Sequence, residues 1–244
     1  MFRQGKPRTF FHNLRLASLL SIVAGMVNIT GVLSIQTLTT NVTGHFAFFA
    51  QEFVGTDYRR ALIYILYIFF FLLGAFVCGF LVEAVLRKKP DISHAAPMFL
   101  EMTILILVAF TGYGYTLNAE WIAFGLLFSM GLQNALVTRI SNATVRTTHL
   151  TGLFTDLGIE LSQIFFYRDP DESRKLKRSI YLRMVIILFF FLGCVLGGFL
   201  FNEYNLKALI FAAGFLVLAL MYDNIRYGLR YYLRRLQAGS KTGS

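Results

Sequence analysis

The sequence predicts an all-α membrane protein, with about six transmembrane helices laid out as two inverted three-helix repeats. Each repeat is expected to carry a short re-entrant or broken helix after its first span. Three observations predict this class. The mean hydropathy is +0.61, and 56% of the 244 residues are hydrophobic. Only 15% are charged, against about 25% in a soluble domain. Long apolar runs alternate with short basic clusters, the pattern of helices crossing a bilayer. Finally, an unusual threonine-rich stretch occurs twice, 108 residues apart.

The spans come first. They run roughly over Leu14–Ile35, Leu62–Leu86, Pro97–Leu117, Trp121–Val137, Ile180–Phe201 and Leu206–Met221. At about 1.5 Å per residue each covers a hydrocarbon core of about 30 Å, the fourth only with its flanks. Of the 23 lysines and arginines, 20 lie in the amino-terminal segment, the second loop, the fourth loop up to Arg183 and the tail. The other side holds only Arg59, Arg60 and Lys207. Basic loops stay in the cytoplasm, so both termini are expected there. The chain then divides into a basic amino-terminus (1–13), a first membrane repeat (14–117), a second, inverted one (118–229) and a basic tail (230–244).

Several function classes fall away. The net charge of +10 sits beside apolar spans, with no soluble body to present it, so nucleic acid is not an expected partner. Cys78 and Cys194 lie inside apolar helices, which argues against a disulfide framework. The first apolar run is of spanning length without a clear cleavage site, so no cleavable signal peptide is expected. No nucleophile–base spacing, metal-ligand cluster or phosphate loop is present, and neither an enzyme nor a cofactor or metal is expected. The expected partners are the lipid bilayer and a small-molecule substrate; assembly as a homo-oligomer stays open.

The repeat is specific in its detail. GMVN at Gly25–Asn28, TTNVTGHF at Thr39–Phe46 and Glu52 are answered by GLQN at Gly131–Asn134, TTHLTGLF at Thr147–Phe154 and Glu160. Further on, Gly74–Leu81 (GAFVCGFL) is answered by Gly193–Leu200 (GCVLGGFL), now at an offset of 119 residues. Each half contributes three spans, an odd number, so the second half would enter the membrane from the opposite side. Many transporters and some channels are built this way.

The TT(N/H)xTG element is where function is expected. Gln36–Thr43 is threonine-rich, and Gly44–Phe53 is short, apolar and aromatic. A half-membrane helix starting at Thr43 or Gly44 fits this pattern, with a counterpart starting at Thr151 or Gly152 and running through Glu160 towards Tyr167. Non-helical backbone at membrane depth must line a cavity or be buried in protein. A half-helix amino-terminus offers free N–H groups and partial positive charge, suited to an anionic or strongly dipolar group. The expected substrate contacts are Asn28, Thr39, Thr40, Asn41, Thr43 and Gly44 in one half. In the other they are Gln133, Asn134, Thr147, Thr148, His149, Thr151 and Gly152. The competing reading makes TG a turn with a helix cap and the asparagines interhelical glue.

Asp156 and Glu160 are four residues apart and share a helix face; with His149 they are the expected proton-coupling groups. Glu52 aligns with Glu160, but Phe48 stands where Asp156 would be. The alternative places both glutamates at aqueous helix ends, paired with Arg59, Arg60 or Arg168. Gly193 with Gly197, and Ala75 with Gly79, read as helix-packing residues. Glu83 and Arg87 read as an i,i+4 pair. The stretch 168–178 reads as a solvated cytoplasmic loop, the tail as a basic interfacial helix. His12 and His94 read as solvated loop residues.

The second-half run GLQNALVTRISNATVRTTHLTGLFTDLGIEL, Gly131–Leu161, resembles the signature region of the YoaK-type bacterial membrane proteins, a family of unknown function. AGMVNITGVLS and TTNVTGHF are similar to that family's amino-terminal pattern, so the resemblance covers nearly the whole chain. Asn41 departs from it where histidine is expected. The resemblance implies a multi-pass protein of the bacterial inner membrane and names no substrate. The function expected is transport of a small anionic or zwitterionic metabolite by alternating access. A passive channel on two facing half-helices is the alternative, followed by a membrane-embedded enzyme or a structural subunit.

Overall fold

The computed structural model describes residues 10–86, 94–111, 118–140, 150–167 and 169–222, and every regular element among them is helical. In order they are α1 (Phe10–Ile35), α2 (Val42–Val54), α3 (Tyr58–Leu86), α4 (Ala95–Thr111), α5 (Ala119–Ile140), α6 (Leu150–Gln163) and α7 (Pro170–Tyr204). A 3-10 turn, Asn205–Lys207, leads into α8 (208–222). Four stretches are long and apolar enough to cross a membrane: Leu14–Ile35, Tyr58–Val85, Ala119–Arg139 and Pro170–Tyr222. The fourth is 53 residues long and is interrupted, because Asn205 adopts a φ of 51° and the helix restarts beyond it. The third expected span appears as α4, apolar but 17 residues long.

The outward faces explain why these helices need lipid. On α3, Leu62, Ile65, Phe69, Leu72, Phe76 and Phe80 are exposed at helical spacing. On α7 the same holds for Tyr181, Met184, Leu188, Phe191, Val195 and Phe199. Apolar stripes of this size do not face water in a soluble monomer. The core is the opposite face: Leu20, Val23 and Val27 of α1 pack with Leu126, Met130 and Leu136 of α5 and Ile186 of α7, all fully buried.

Helix pairing follows the glycines. α1 packs chiefly on α7 and α3 chiefly on α5, while α1 and α5 touch between them. A methyl group on Gly25 would fall on the Phe190 carbonyl and 2.8 Å from the Cys194 amide. One on Gly193 would lie 2.8 Å from the Ile22 Cα. The second pair has the same contact: Gly74 abuts the Phe128 carbonyl and Gly131 the Phe71 carbonyl. Only glycine lets two backbones approach this closely, and Gly197 against Met26 extends the α1–α7 seam as expected.

One sequence expectation needs correction. The stretch expected as a loop over 168–178 is helical from Pro170 on, where α7 begins. The Asp169 carboxylate accepts from the Glu172 amide at 3.0 Å, Pro170 sits in the first turn, and Asp171 and Glu172 follow. Cap, proline and acidic first turn are together a helix start. Glu83 bonds to Arg139 of α5, whose guanidinium also donates to the Gly79 carbonyl at 3.0 Å. This ties α3 to α5; Arg87, the partner expected of Glu83, lies with His12 outside the residues whose side chains are described.

Candidate functional site

The interrupted helix between α1 and α2 is built by a backbone reversal. Gln36 adopts a φ of 53°, and the Thr37 amide donates to the Gly31 carbonyl at 3.2 Å. The chain therefore turns back along α1. Gly31 makes room for it: a methyl there would lie 2.6 Å from Thr39 Cγ2 and 2.8 Å from the Thr37 carbonyl. Asn28 then fixes how far back the segment reaches. Its Oδ1 accepts from the Thr39 amide at 3.2 Å and from Thr40 Oγ1 at 3.0 Å. Asn28 is seven residues inside the end of α1, or about 10 Å along its axis. Thr39 and Thr40 thus lie at the level of Asn28, inside the span.

α2 starts from that depth. Asn41 caps it, its Oδ1 accepting from the Gly44 amide at 3.1 Å and from Thr43 Oγ1 at 2.7 Å. The helix begins at Val42, one residue before the expected Thr43. The structure thus makes Asn41, Thr43 and Gly44 a cap, the plainer of the two sequence readings. Thr39 differs. It is fully buried, and its Oγ1 has no partner.

One side chain essential to this geometry was not singled out from sequence. His45 is buried, and its Nε2 lies 2.8 Å from the Leu38 carbonyl, pinning the segment from the other side. Its Nδ1 is buried without a partner. The ring packs against Tyr64 and Tyr67 of α3 at centroid distances of 6.2 and 5.3 Å. Phe48 meets Tyr64 at 5.4 Å, and Phe124 of α5 meets Tyr67 at 5.7 Å. The signal for His45 was its position four residues after Asn41, on the cap's own helix face.

The second short helix, α6, runs from Leu150 to Gln163, close to the expected Thr151 or Gly152 start. Thr147, Thr148 and His149 lie outside the described residues. Thr151 is exposed, its carbonyl accepting from Thr155 Oγ1 at 3.0 Å, and Gly152 is half-buried. On α5, Gln133 is fully buried and its Nε2 donates to the Leu20 carbonyl of α1 at 2.7 Å. Gln133 Oε1 and Asn134 Oδ1 are buried without partners. The structure brings together Asn28, Thr39 and Thr40, and separately ties Gln133 to α1.

The acidic pair meets a partner the sequence reading counted only as an orientation charge. Arg183 of α7 bonds Glu160 through Nε at 2.8 Å and Nη2 at 2.9 Å, and Asp156 through Nη1 at 2.9 Å. Ser179 adds a bond to Glu160 at 2.6 Å. The fork of a guanidinium suits this bidentate arrangement. Of the arginines expected as partners, Arg60 instead pairs with Asp57, and Arg168 is outside the described residues. His94, expected in solvent, is half-buried at the start of α4.

Among the described residues no group of histidine, cysteine and acidic side chains is arranged to hold a metal ion. No curated protein and no solved structure matches the chain. Its residues 16–222 match the family described as protein of unknown function (DUF1275), and the chain belongs to that family.

Proposed function

We propose that the protein is a small-molecule transporter, working by alternating access around its interrupted helices. One observation carries the reading. A polar, non-helical segment is folded about 10 Å back along a membrane-length helix and held there by Asn28 and His45. Irregular backbone at that depth is tolerated where it is buried in protein or lines a cavity, and broken helices of this kind build the midplane sites of transporters. Substrate contact is assigned to Asn28, Thr39 and Thr40 from one half, and to Gln133, Asn134, Thr147, Thr148, His149, Thr151 and Gly152 from the other. An anionic or zwitterionic metabolite fits such neutral donors beside a helix amino-terminus.

Six spans in two inverted repeats complete the proposal, and three features support it. The α1–α7 and α3–α5 pairs exchange under the sequence repeat, because Gly25 aligns with Gly131 and Gly74 with Gly193. The exposed apolar stripes of α3 and α7 correspond residue by residue at an offset of 119, from Leu62 with Tyr181 to Phe80 with Phe199. Each membrane-length helix α1 and α5 is followed by a short helix, α2 or α6. The location is the bacterial inner membrane with both termini cytoplasmic, in keeping with the YoaK-type resemblance. Asp156 and Glu160 are both bonded to Arg183, which favours a lock between α6 and α7 over the proton-carrying role expected of them.

The test is thermal melting of the detergent-purified protein against a panel of anionic and zwitterionic metabolites. A ligand at a hundred times its dissociation constant adds about 2.7 kcal/mol. Stabilisation of wild type that is lost in Asn28→Ala and Asn134→Ala variants supports the site. Counterflow in proteoliposomes then separates carrier from channel. Variants that fold normally while a broad panel gives no shift would argue against it.

A further inference from the structure

We infer that Glu101 is the binding site of a monovalent coupling cation, a proton or a sodium ion, in the protein interior. Glu101 stands on α4, is completely buried, and neither carboxyl oxygen has a partner. α4 and α5 are consecutive helices with a short connection, which run antiparallel. They touch where Val108 and Ile104 lie 3.0 and 3.8 Å from the Cβ position of Gly125. Two turns back along α4 and two turns forward along α5 bring Glu101 level with the turn Ser129–Gln133.

That turn offers what a cation needs. Ser129 and Gln133 share one face of α5, both are completely buried, and Ser129 Oγ and Gln133 Oε1 have no partner. Gln133 Nε2 is committed to the Leu20 carbonyl of α1, which leaves its oxygen as an acceptor. Beside Leu20, Ser21 is also completely buried with an unpartnered Oγ. Native interiors leave few polar atoms unpaired, and each one that is unpaired calls for a water or ion. A row of neutral oxygens with one carboxylate supplies a single negative charge, which a monovalent cation neutralises and a divalent one would overfill. A carboxylate left bare at this depth would be expensive.

Among the described residues the charged and titratable groups around Glu101 do not supply that charge; His94, two turns before it at the start of α4, is not bonded to its carboxyl oxygens. From α3 they are the buried Cys78 and, further along, Glu83. From α5 the nearest is Arg139, bonded to Glu83 and the Gly79 carbonyl. From the 3-10 turn it is Lys207, and Glu101 is bonded to none of them. Coupling a substrate to this cation rests on the transport reading, whereas cation binding itself does not.

The experiment is carbodiimide labelling of the wild-type protein in detergent, read by peptide mass spectrometry relative to the exposed Glu172. Carbodiimides modify protonated carboxyls in apolar surroundings, so Glu101 should label faster than Glu172, with a rate that depends on pH. If sodium is the cation, sodium chloride at ten times its dissociation constant slows labelling about tenfold against a choline control. If the proton is the cation, the rate follows pH and ignores sodium. A Glu101→Gln protein should melt cooperatively and show no adduct in that peptide. No adduct on Glu101, or an adduct indifferent to both pH and sodium, overturns the inference. A labelled, cation-sensitive Glu101 in a protein that moves no metabolite would leave the cation site standing and remove the transport reading.

Discussion

The α2–α3 and α6–α7 units solve one problem with opposite chemistry. Each is a short helix laid against a long one, and their positions correspond at the two offsets of the sequence repeat. Phe48 aligns with Asp156 and Tyr64 with Arg183, so a ring contact at 5.4 Å in one unit becomes an ion pair at 2.9 Å in the other. His45 aligns with Leu153, and Tyr67 with Ile186; all four are buried. The first unit is closed by aromatic packing around one imidazole, the second by an arginine fork between two carboxylates. The two units share a layout of short helix on long helix, while the residues that close them differ. The aromatic closure depends on packing and is indifferent to salt. The ionic closure depends on charge and is weakened when the pair is partly exposed and screened.

The comparison can be broken first at what the two units share. Gly25→Ala and Gly131→Ala each drive a methyl into a facing backbone carbonyl. Each should cost about 3 kcal/mol in denaturant unfolding, and by about the same amount if the two seams are equivalent. The next test separates the units. Arg183→Ala leaves Glu160 and Asp156 without their cation and should cost about 2–3 kcal/mol, reduced because Asp156 is half exposed. High salt should shrink the difference from wild type. His45→Ala strands the Leu38 carbonyl and opens the ring cluster, for a loss of about 2 kcal/mol that salt leaves unchanged. Asn41→Ala removes only the cap of α2 and should cost about 1 kcal/mol, measured as faster amide exchange over 42–46.

Much of this framework was legible in the sequence, and the reasons are physical. Span positions follow from hydropathy because lipid allows little else, and both short helices follow from threonine-rich breaks ahead of apolar runs too short to cross. The departures lie where one side chain's partner decides the matter. Arg183 was read as one of many basic residues because an ion pair across 23 or 27 residues leaves no local pattern. Glu101 was passed over because an apolar window averages away a single carboxylate, although a lone acid inside a span is itself a signal. The start of α7 was misread because charge density outweighed the Asp-Pro-Asp-Glu cap. Whether an asparagine caps a helix, as Asn41 does, or tethers the reversed segment, as Asn28 does, depends on which backbone amide it faces, which composition does not encode.

The decisive measurement is the side of the membrane on which each short helix ends. Val54, the last residue of α2, and Phe165, two residues beyond the end of α6, are both exposed. Val54→Cys and Phe165→Cys would be made singly in a protein with Cys78 and Cys194 replaced by alanine, and probed with a membrane-impermeant maleimide on intact cells and on inverted vesicles. Two inverted repeats predict that Val54→Cys reacts only from outside the cell and Phe165→Cys only from the cytoplasmic face. Labelling of both from the same side would contradict the inverted arrangement, and with it the two-repeat architecture that completes the transport proposal.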